Sequence, residues 1–447
     1  MTITENRTEN NNEIDELLAW LEQNWDPDLT VGEWWERLGT SGWAAPMLPA
    51  DAYGRGMNRA DAMRVSTTIA KFGALGAPIG MGIGLVSPTI ATHGTREQID
   101  LYIREAVTGK KGWCQLFSEP GAGSDLAGLA TKAVRHDDEW IINGQKVWTS
   151  GGHRADMGML LARTDPTAPK HQGISWFAFD MLQPGVDVRP LREMTGNTMF
   201  SEVFFTDARV EDRARIGDLN DGWKVANTTL FHERSGMGAG GGGGGGRGAI
   251  GSFAQPGTLG GHLERRAGDF VAPRPDGSSK RSASAPAKRT SPAQDMIDLA
   301  KNFGRNEDPV VRQGLVQLHI MRELARLTTE RHKAARASGG DIAGVPNFSK
   351  LLMGHAVRHT RDLGMQILGP RGLLHANAGE DGSALRDEPG GIAAMAVTSQ
   401  ALGAQALPIF GGTDQIQMNI IGERVLGLPK DPGDLANVPF NELPRNG

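Results

Sequence analysis

The sequence predicts an α+β chain in three consecutive parts, helical first, β in the middle and helical last. Three observations carry this. Before residue 113, segments such as IDELLAWLEQNW and TREQIDLYIREAV repeat apolar residues at helical spacing. From Trp113 to Leu219 the period shortens to strand-like runs, WCQLFSE, EWIINGQKVWTS, MGMLLART, ISWFAFDM and SEVFFTDARV, separated by DD, NG, PG and TGN clusters. From Gly222 the helical period returns in GWKVANTTLFHERSGMG, VVRQGLVQLHIMRELARLTTERHKAA and DQIQMNIIGERVLGL. The domains expected are 1–112, 113–219 and 220–447.

With 447 residues, 39% of them apolar, the chain has material for two or three packed domains. A net charge of −5 argues against non-specific nucleic-acid binding by the whole molecule. A single cysteine, Cys114, excludes an internal disulfide framework and any CxxC redox or zinc site, as suits a reducing cytoplasm. The polar start, MTITENRTENNNEIDE, lacks the basic-then-apolar order of a signal peptide and is expected to fray. The most apolar run, residues 72–91, holds five glycines and two prolines, which suits irregular packed structure better than a membrane span. A soluble, cytoplasmic protein is expected.

Residues 238–292 break the order. They are rich in Gly, Pro, Ser and Ala, begin with a polyglycine tract, and offer too little apolar surface to offset their ordering entropy. Arg247–Gln294 carries eight Lys/Arg against three Asp/Glu, a local +5. A solvated linker or loose insertion is expected ahead of a basic arm for an acidic partner, because no aromatics interleave to stack on bases.

The chemistry-bearing motifs start at the β part, with WCQLFSEPGAGSDLAG. The glycines at 121 and 123 do not make a dinucleotide fingerprint, since no third glycine and no long helix follow. They do let backbone approach a flat polar ligand. Trp148 can offer a face to a ring system or serve as a core aromatic; composition alone favours the core. Near the polyglycine tract, FHERS places Glu233 on the stripe Ala226, Leu230, Glu233, Met237, where a carboxylate meets an apolar face. Solvation at a fraying helix end is the competing reading. No His/Cys/carboxylate cluster suggests a metal.

Together these motifs resemble the acyl-CoA dehydrogenase family, FAD flavoproteins that introduce a double bond between Cα and Cβ of acyl-CoA thioesters. The matching segments run nearly the whole chain: HGTREQIDLYIREAVTGKKGWCQLFSEPGAGSD, DEWIINGQKVWTSGG, MTGNTMFSEVFFTDARV, GWKVANTTLFHER, QILGPRGLL and GGTDQIQMNIIGERVLGLP. The insertion at 238–292 has no counterpart in the family pattern. The resemblance implies an N-terminal helical domain, a β-barrel-like middle domain and a C-terminal helical bundle. It implies FAD, an acyl-CoA substrate, an electron-transfer flavoprotein as acceptor, and a homodimer or tetramer, with a heteromer as the alternative.

By the same resemblance, Phe117, Ser118, Gly123 and Ser124 line the flavin and the start of the acyl-CoA channel, and Trp148, Thr149 and Ser150 stand beside the isoalloxazine ring. Gln366 and Gly369 resemble the segment that reaches a neighbouring subunit's FAD, and Thr413 and Gln415 resemble contacts to its nucleotide half. The family's arginine before Phe-Gly is missing from LAKNFGRNEDP, where Lys301 and Arg305 are the nearest cations. Ser124, Phe231 and Arg234 are assigned to the substrate side.

The reaction needs a carboxylate base, and donors at the thioester oxygen. In many family members the base directly precedes Gly-Thr, but here that position is Gly411. A subset places it in a Glu-Arg pair on the helix after the β domain, which Glu233-Arg234 matches. Glu233 is therefore the expected base, with the Gly411 backbone N–H as an oxyanion donor. Arg234 either holds the flavin edge or the Gly411 loop, or is a surface cation. His232 is structural or exposed, Glu119 and Asp125 brace the glycine loop, and Asp414 is a weaker acid candidate. The alternatives kept are a flavin-binding non-catalytic or heteromeric subunit and a nucleic-acid-associated flavoprotein relative.

Overall fold

In the computed structural model, which describes residues 3–237, 256–271, 292–374, 387–429, 435 and 437–444, the chain opens with helices Ile3–Asn24, Val31–Thr40 and Arg59–Phe72. The polar start is thus helical from Ile3, continuous with the turns that bury Leu17 and Leu21. Thr30 and Glu33 cap the Val31–Thr40 helix reciprocally. That helix buries Trp34 and Trp35, whose indole N–H groups donate to the Leu75 and Gly76 carbonyls at 2.7 and 2.8 Å. Two backbone acceptors of the irregular, glycine-rich 72–91 run are satisfied in this way. The run then continues as a π-helical turn, Gly82–Val86, into the helix Ser87–His93.

Eight strands follow: β1 Trp113–Leu116, β2 Lys132–His136, β3 Glu139–Ser150, β4 Met157–Arg163, β5 Ile174–Asp180, β6 Val186–Leu191, β7 Phe200–Glu211 and β8 Arg215–Ile216. They form one mixed sheet in the order β6-β7-β3-β2-β4-β5-β8, with β1 parallel to β4. β4 is buried at every residue, as a central strand covered on both faces must be. The helix Gly222–Met237 follows the sheet and sets Val225 and Ala226 into the same core.

The chain divides into two compact units, residues 1–191, 198–277 and 434–447 in one and 192–197 and 278–433 in the other. In the second, helices Pro292–Asn302, Pro309–Ala337, Val345–Leu368 and Gly391–Gly403 enclose their own core of Leu299, Leu318, Leu363, Ile367 and Val397.

The expected loose insertion holds a packed piece. Residues 256–271 lie against the N-terminal helices, with Ala267 and Phe270 buried. Val31 N–H donates to Arg265 O at 2.8 Å, Gly32 N–H to Leu263 O at 2.9 Å, and Ala267 N–H to Leu29 O at 2.8 Å. The buried Asp156 carboxylate accepts from Gly112 N–H at 2.7 Å and from the Thr258 amide and hydroxyl. Composition underestimated this segment because its order comes from strand-like pairing with distant backbone, not from its own periodicity. Arg266 pairs with Asp28 and Arg265 lies over the Phe270 ring, so two cations of the expected basic arm are engaged within the fold. The polyglycine tract and residues 272–291 lie outside the described residues. Among the described residues no helix is long and apolar enough to cross a membrane.

Candidate active site

Two segments of the first unit build the site. The first is the loop that follows β1. Its glycines at 121 and 123 and Ser124 are exposed, and a Cβ built on either glycine meets nothing within 4 Å. The loop is open toward solvent, yet both of its ends rest on buried cations. Lys146 on β3 is wholly buried, and its ammonium donates to Phe117 O at 2.9 Å and to Glu119 Oε1 at 2.8 Å. Glu119 in turn accepts from the Ala130 and Thr131 amides at 2.7 and 2.9 Å. Arg163 on β4 donates to the Ala127 and Leu129 carbonyls at 2.6 and 3.2 Å.

Burial pushes the Glu119 carboxyl up, but Lys146 and the donors from Thr131 and Ala130 outweigh it and hold it below the usual range. Burial pulls the Lys146 ammonium down while Glu119 supports its charge. Burial likewise brings Arg163 down to about 10. Glu119 therefore braces the loop, as its place beside the glycines implies. Asp125 is tied to Lys170 at 2.8 Å on the exposed side. Phe117 packs into the core, so what it offers a ligand is backbone.

The second segment is the end of β3. The pairing of β3 with β7 shifts register between Lys146 and Thr149, and Val147 N–H donates instead to Ser118 O at 2.9 Å. This bulge puts Trp148 at φ +60°, a conformation unusual for a bulky residue, and leaves the indole 60% exposed. The core reading of Trp148 is overturned. Its ring packs T-shaped with Phe200, centroid to centroid 5.8 Å, and the rest of the exposed indole is open to solvent. Next to it, Thr149 Oγ1 is buried and meets no hydrogen-bonding partner among the described residues, and Ser150 is half-buried. An exposed indole, an orphaned hydroxyl and an open glycine loop tied together through Val147 and Ser118 are chemically suited to a flat, polar ring system such as a flavin.

Glu233 lies on the Gly222–Met237 helix. That helix is fixed by Ala226 and Thr229, both wholly buried, and by the hydroxyl pair Thr89–Thr229 at 3.0 Å. One turn on, Glu233 is half-buried, and Gln115 Nε2 from β1 donates to its Oε2 at 3.4 Å. His232 is half-buried with its ring edge-on to Phe231, and burial holds its pKa below the ordinary value. Phe231 is exposed. The side chains of Arg234 and Met237 lie outside the described residues.

The second unit carries the remaining residues. Gly411 and Gly412 take φ +65° and +83°, and their carbonyls accept from Gln417 Nε2 at 3.1 and 3.3 Å. Asn347 holds the other end of that amide at 2.6 Å. Thr413 caps the helix Asp414–Ile420 by accepting from Ile416 N–H. Asp414, buried, pairs with Lys350 at 3.3 Å and Arg358 at 3.0 Å and is thereby occupied as an anchor. Gln415 and Gln366 are exposed, and Gly369 at φ +58° ends the Val345–Leu368 helix. Arg305 pairs with Asp308 at 2.6 Å. Sequence reasoning passed over Lys146, Arg163, Gln115 and Gln417. The one available signal was a lysine falling at even spacing from Trp140 and Ile142 in EWIINGQKVW, on the side of the strand that the apolar residues mark as buried.

The acyl-CoA dehydrogenase N-terminal, middle and C-terminal domain profiles match residues 7–110, 114–208 and 293–426. The acyl-CoA dehydrogenase IpdE1 of Mycobacterium tuberculosis is 32% identical over 402 residues, 89% of this chain and 88% of that one. This chain belongs to the acyl-CoA dehydrogenase family. It is an oxidoreductase of that family, whose cofactor is FAD. The acyl-CoA dehydrogenase FadE34 of the same organism is 35% identical over 88% of this chain, which spans 46% of that longer protein. Among solved structures, a protein described as the Tcur3481-Tcur3483 steroid ACAD superposes with a TM-score of 0.64 at 26% identity, covering 96% of this chain and 98% of that one. The ChsE4-ChsE5 complex from Mycobacterium tuberculosis gives 0.61 at 26% identity over 90% of each.

Proposed function

We propose that this chain is a catalytic acyl-CoA dehydrogenase subunit that forms a Cα=Cβ double bond in an acyl-CoA thioester, with Glu233 as the base. The observation that carries the reading is the setting of Glu233. It is a half-buried carboxylate at the end of a core-packed helix, oriented from β1 by Gln115. A carboxylate removes an α-proton usefully only when it is held against the substrate and partly shielded from water. Glu233 accepts that proton. The Gly411 N–H, in a loop held by Gln417 through its carbonyls, donates to the thioester oxygen as negative charge grows there. Trp148, Thr149 and Ser150, with Ser118, Gly123 and Ser124, hold the isoalloxazine side of the cofactor, and Thr413, Gln415, Gln366 and Gly369 contact its remainder or that of a neighbouring subunit. When bound, FAD supplies the acceptor for the hydride leaving Cβ, and an electron-transfer flavoprotein takes the electrons onward.

The first substrate to test is a bulky polycyclic acyl-CoA, because a 26% identical neighbour is described as a steroid ACAD. Assembly with further subunits is supported by Val316, Ile320, Leu324 and Leu327. These form an exposed apolar stripe on the Pro309–Ala337 helix. Two neighbours described as two-component proteins favour a heteromer as the alternative to a homo-oligomer. Sedimentation of the purified chain, alone and with a co-expressed homologue, separates the two.

Glu233→Gln is expected to keep FAD and to lower the rate of acyl-CoA-dependent flavin bleaching about 10²–10⁴-fold. Bleaching at the wild-type rate would place the base elsewhere.

A further inference from the structure

We propose that Lys146 and Glu119 form a positioning pair that sets the spacing of the two flavin-facing segments, the loop after β1 and the Trp148–Ser150 end of β3, and through it the affinity and potential of the flavin. This deepens the assignment of those segments to the cofactor and rests on it.

The geometry argues for more than stability. The β3–β7 register shifts between Lys146 and Thr149, so ladder hydrogen bonds do not fix β3 where it must present Trp148. Two bonds replace them, Val147 N–H to Ser118 O and Lys146 Nζ to Phe117 O, both at 2.9 Å. Lys146 thus ties the strand two residues before Trp148 to the loop residue next to Ser118. Glu119 completes the link where the loop returns to the sheet: its Oε1 accepts from both Lys146 and the Thr131 amide, and its Oε2 from the Ala130 amide. A buried ion pair is seldom more stabilising than well-packed apolar residues of the same volume. What it offers here is direction, because the pair together locates three pieces of backbone, β3 at Lys146, the loop at Phe117 and the return at residues 130 and 131.

The full-length Glu119→Gln/Lys146→Met variant removes both charges together, at similar volume. We expect the apoprotein to retain its circular-dichroism spectrum. The dissociation constant for FAD should rise about tenfold or more, and the flavin's visible spectrum and midpoint potential should shift. A folded double variant with unchanged FAD affinity, spectrum and potential overturns the proposal. Should the double variant not fold, Lys146→Arg keeps the charge but changes the reach, and the same three flavin readouts decide. Ser150→Ala and Trp148→Leu run in parallel as direct contacts. If neither perturbs the bound flavin, the segment assignment falls and the positioning role with it. If both perturb it while the charge-free pair does not, only the positioning role falls.

Discussion

The loop after β1 and the loop at Gly411–Thr413 are both glycine-rich and both anchored by a buried carboxylate, yet they use these features differently. In the first, Glu119 meets a single lysine that has no access to water, and the glycines at 121 and 123 face open space in ordinary backbone conformations. In the second, Asp414 is shared by Lys350 and a partly exposed Arg358, and the glycines themselves adopt left-handed backbone. The first loop's glycines leave room for something else. The second loop's glycines are demanded by the turn itself. An anchor closed to water also tolerates loss of one member far less than an anchor whose partner can turn to solvent.

The largest expected contrast follows from removing one charge in each. Lys146→Met leaves Glu119 buried and unpaired and should cost about 3–5 kcal/mol. Asp414→Asn retains hydrogen-bonding capacity beside a cation that reaches water and should cost about 1–3 kcal/mol. Denaturant midpoints measure both, and equal losses would erase the distinction. Acid titration sharpens it. Because the folded Glu119 pKa is lowered, its stabilising contribution is complete above the unfolded value of about 4.3 and disappears as pH falls through the folded value. Glu119→Gln should flatten that acid limb of the stability curve, and an unaltered limb would mean that the pair is not ionised.

A smaller difference separates the glycines. Gly411→Ala, at φ +65°, should lose about 1–2 kcal/mol to backbone strain, whereas Gly123→Ala should stay within about 0.5 kcal/mol and instead weaken FAD binding. A flavin affinity unaffected by Gly123→Ala would remove the ligand-facing role of that loop. The smallest effect concerns Cys114, at the root of the first loop. Burial pushes its thiol up to about 12, so an alkylating reagent should label it only at the rate at which β1 opens. Rapid labelling of native protein would show that the first loop's root is not closed.

Much of the fold was legible because it is local. The helical runs IDELLAWLEQNW and TREQIDLYIREAV and the short strand-like runs of the middle part declare their elements, and the motifs around Gly121–Ser124, Trp148 and Gly411–Thr413 stand in family order. The site was legible only as residue types. By composition alone Trp148 read as core, against the flavin-side place the resemblance gave it, because its exposure depends on a bulge, and one register shift moves a side chain to the other face. Lys146 drew no notice because a lysine is ordinarily a surface residue, and its burial becomes tolerable only when Glu119, 27 positions earlier, arrives beside it. The segment 256–271 read as linker for a related reason. Its partners, Leu29, Val31, Gly32 and Asp156, are all more than 90 residues away.

By itself, then, the sequence determined the α, β, α order, the family and its FAD cofactor, and it supplied the grounds, a glycine at 411 and a Glu-Arg pair at 233–234, on which Glu233 is proposed as the base. These follow from periodicity and from motifs whose meaning is carried by neighbouring residues. Tertiary structure alone decided that Trp148 turns outward, that Glu119 and Lys146 neutralise each other under the first loop, that Asp414 is an anchor, and that part of the insertion docks on the N-terminal helices. Each of those outcomes depends on the free energy of burying a polar or charged group, and that energy is set by which partner the fold brings within hydrogen-bonding distance.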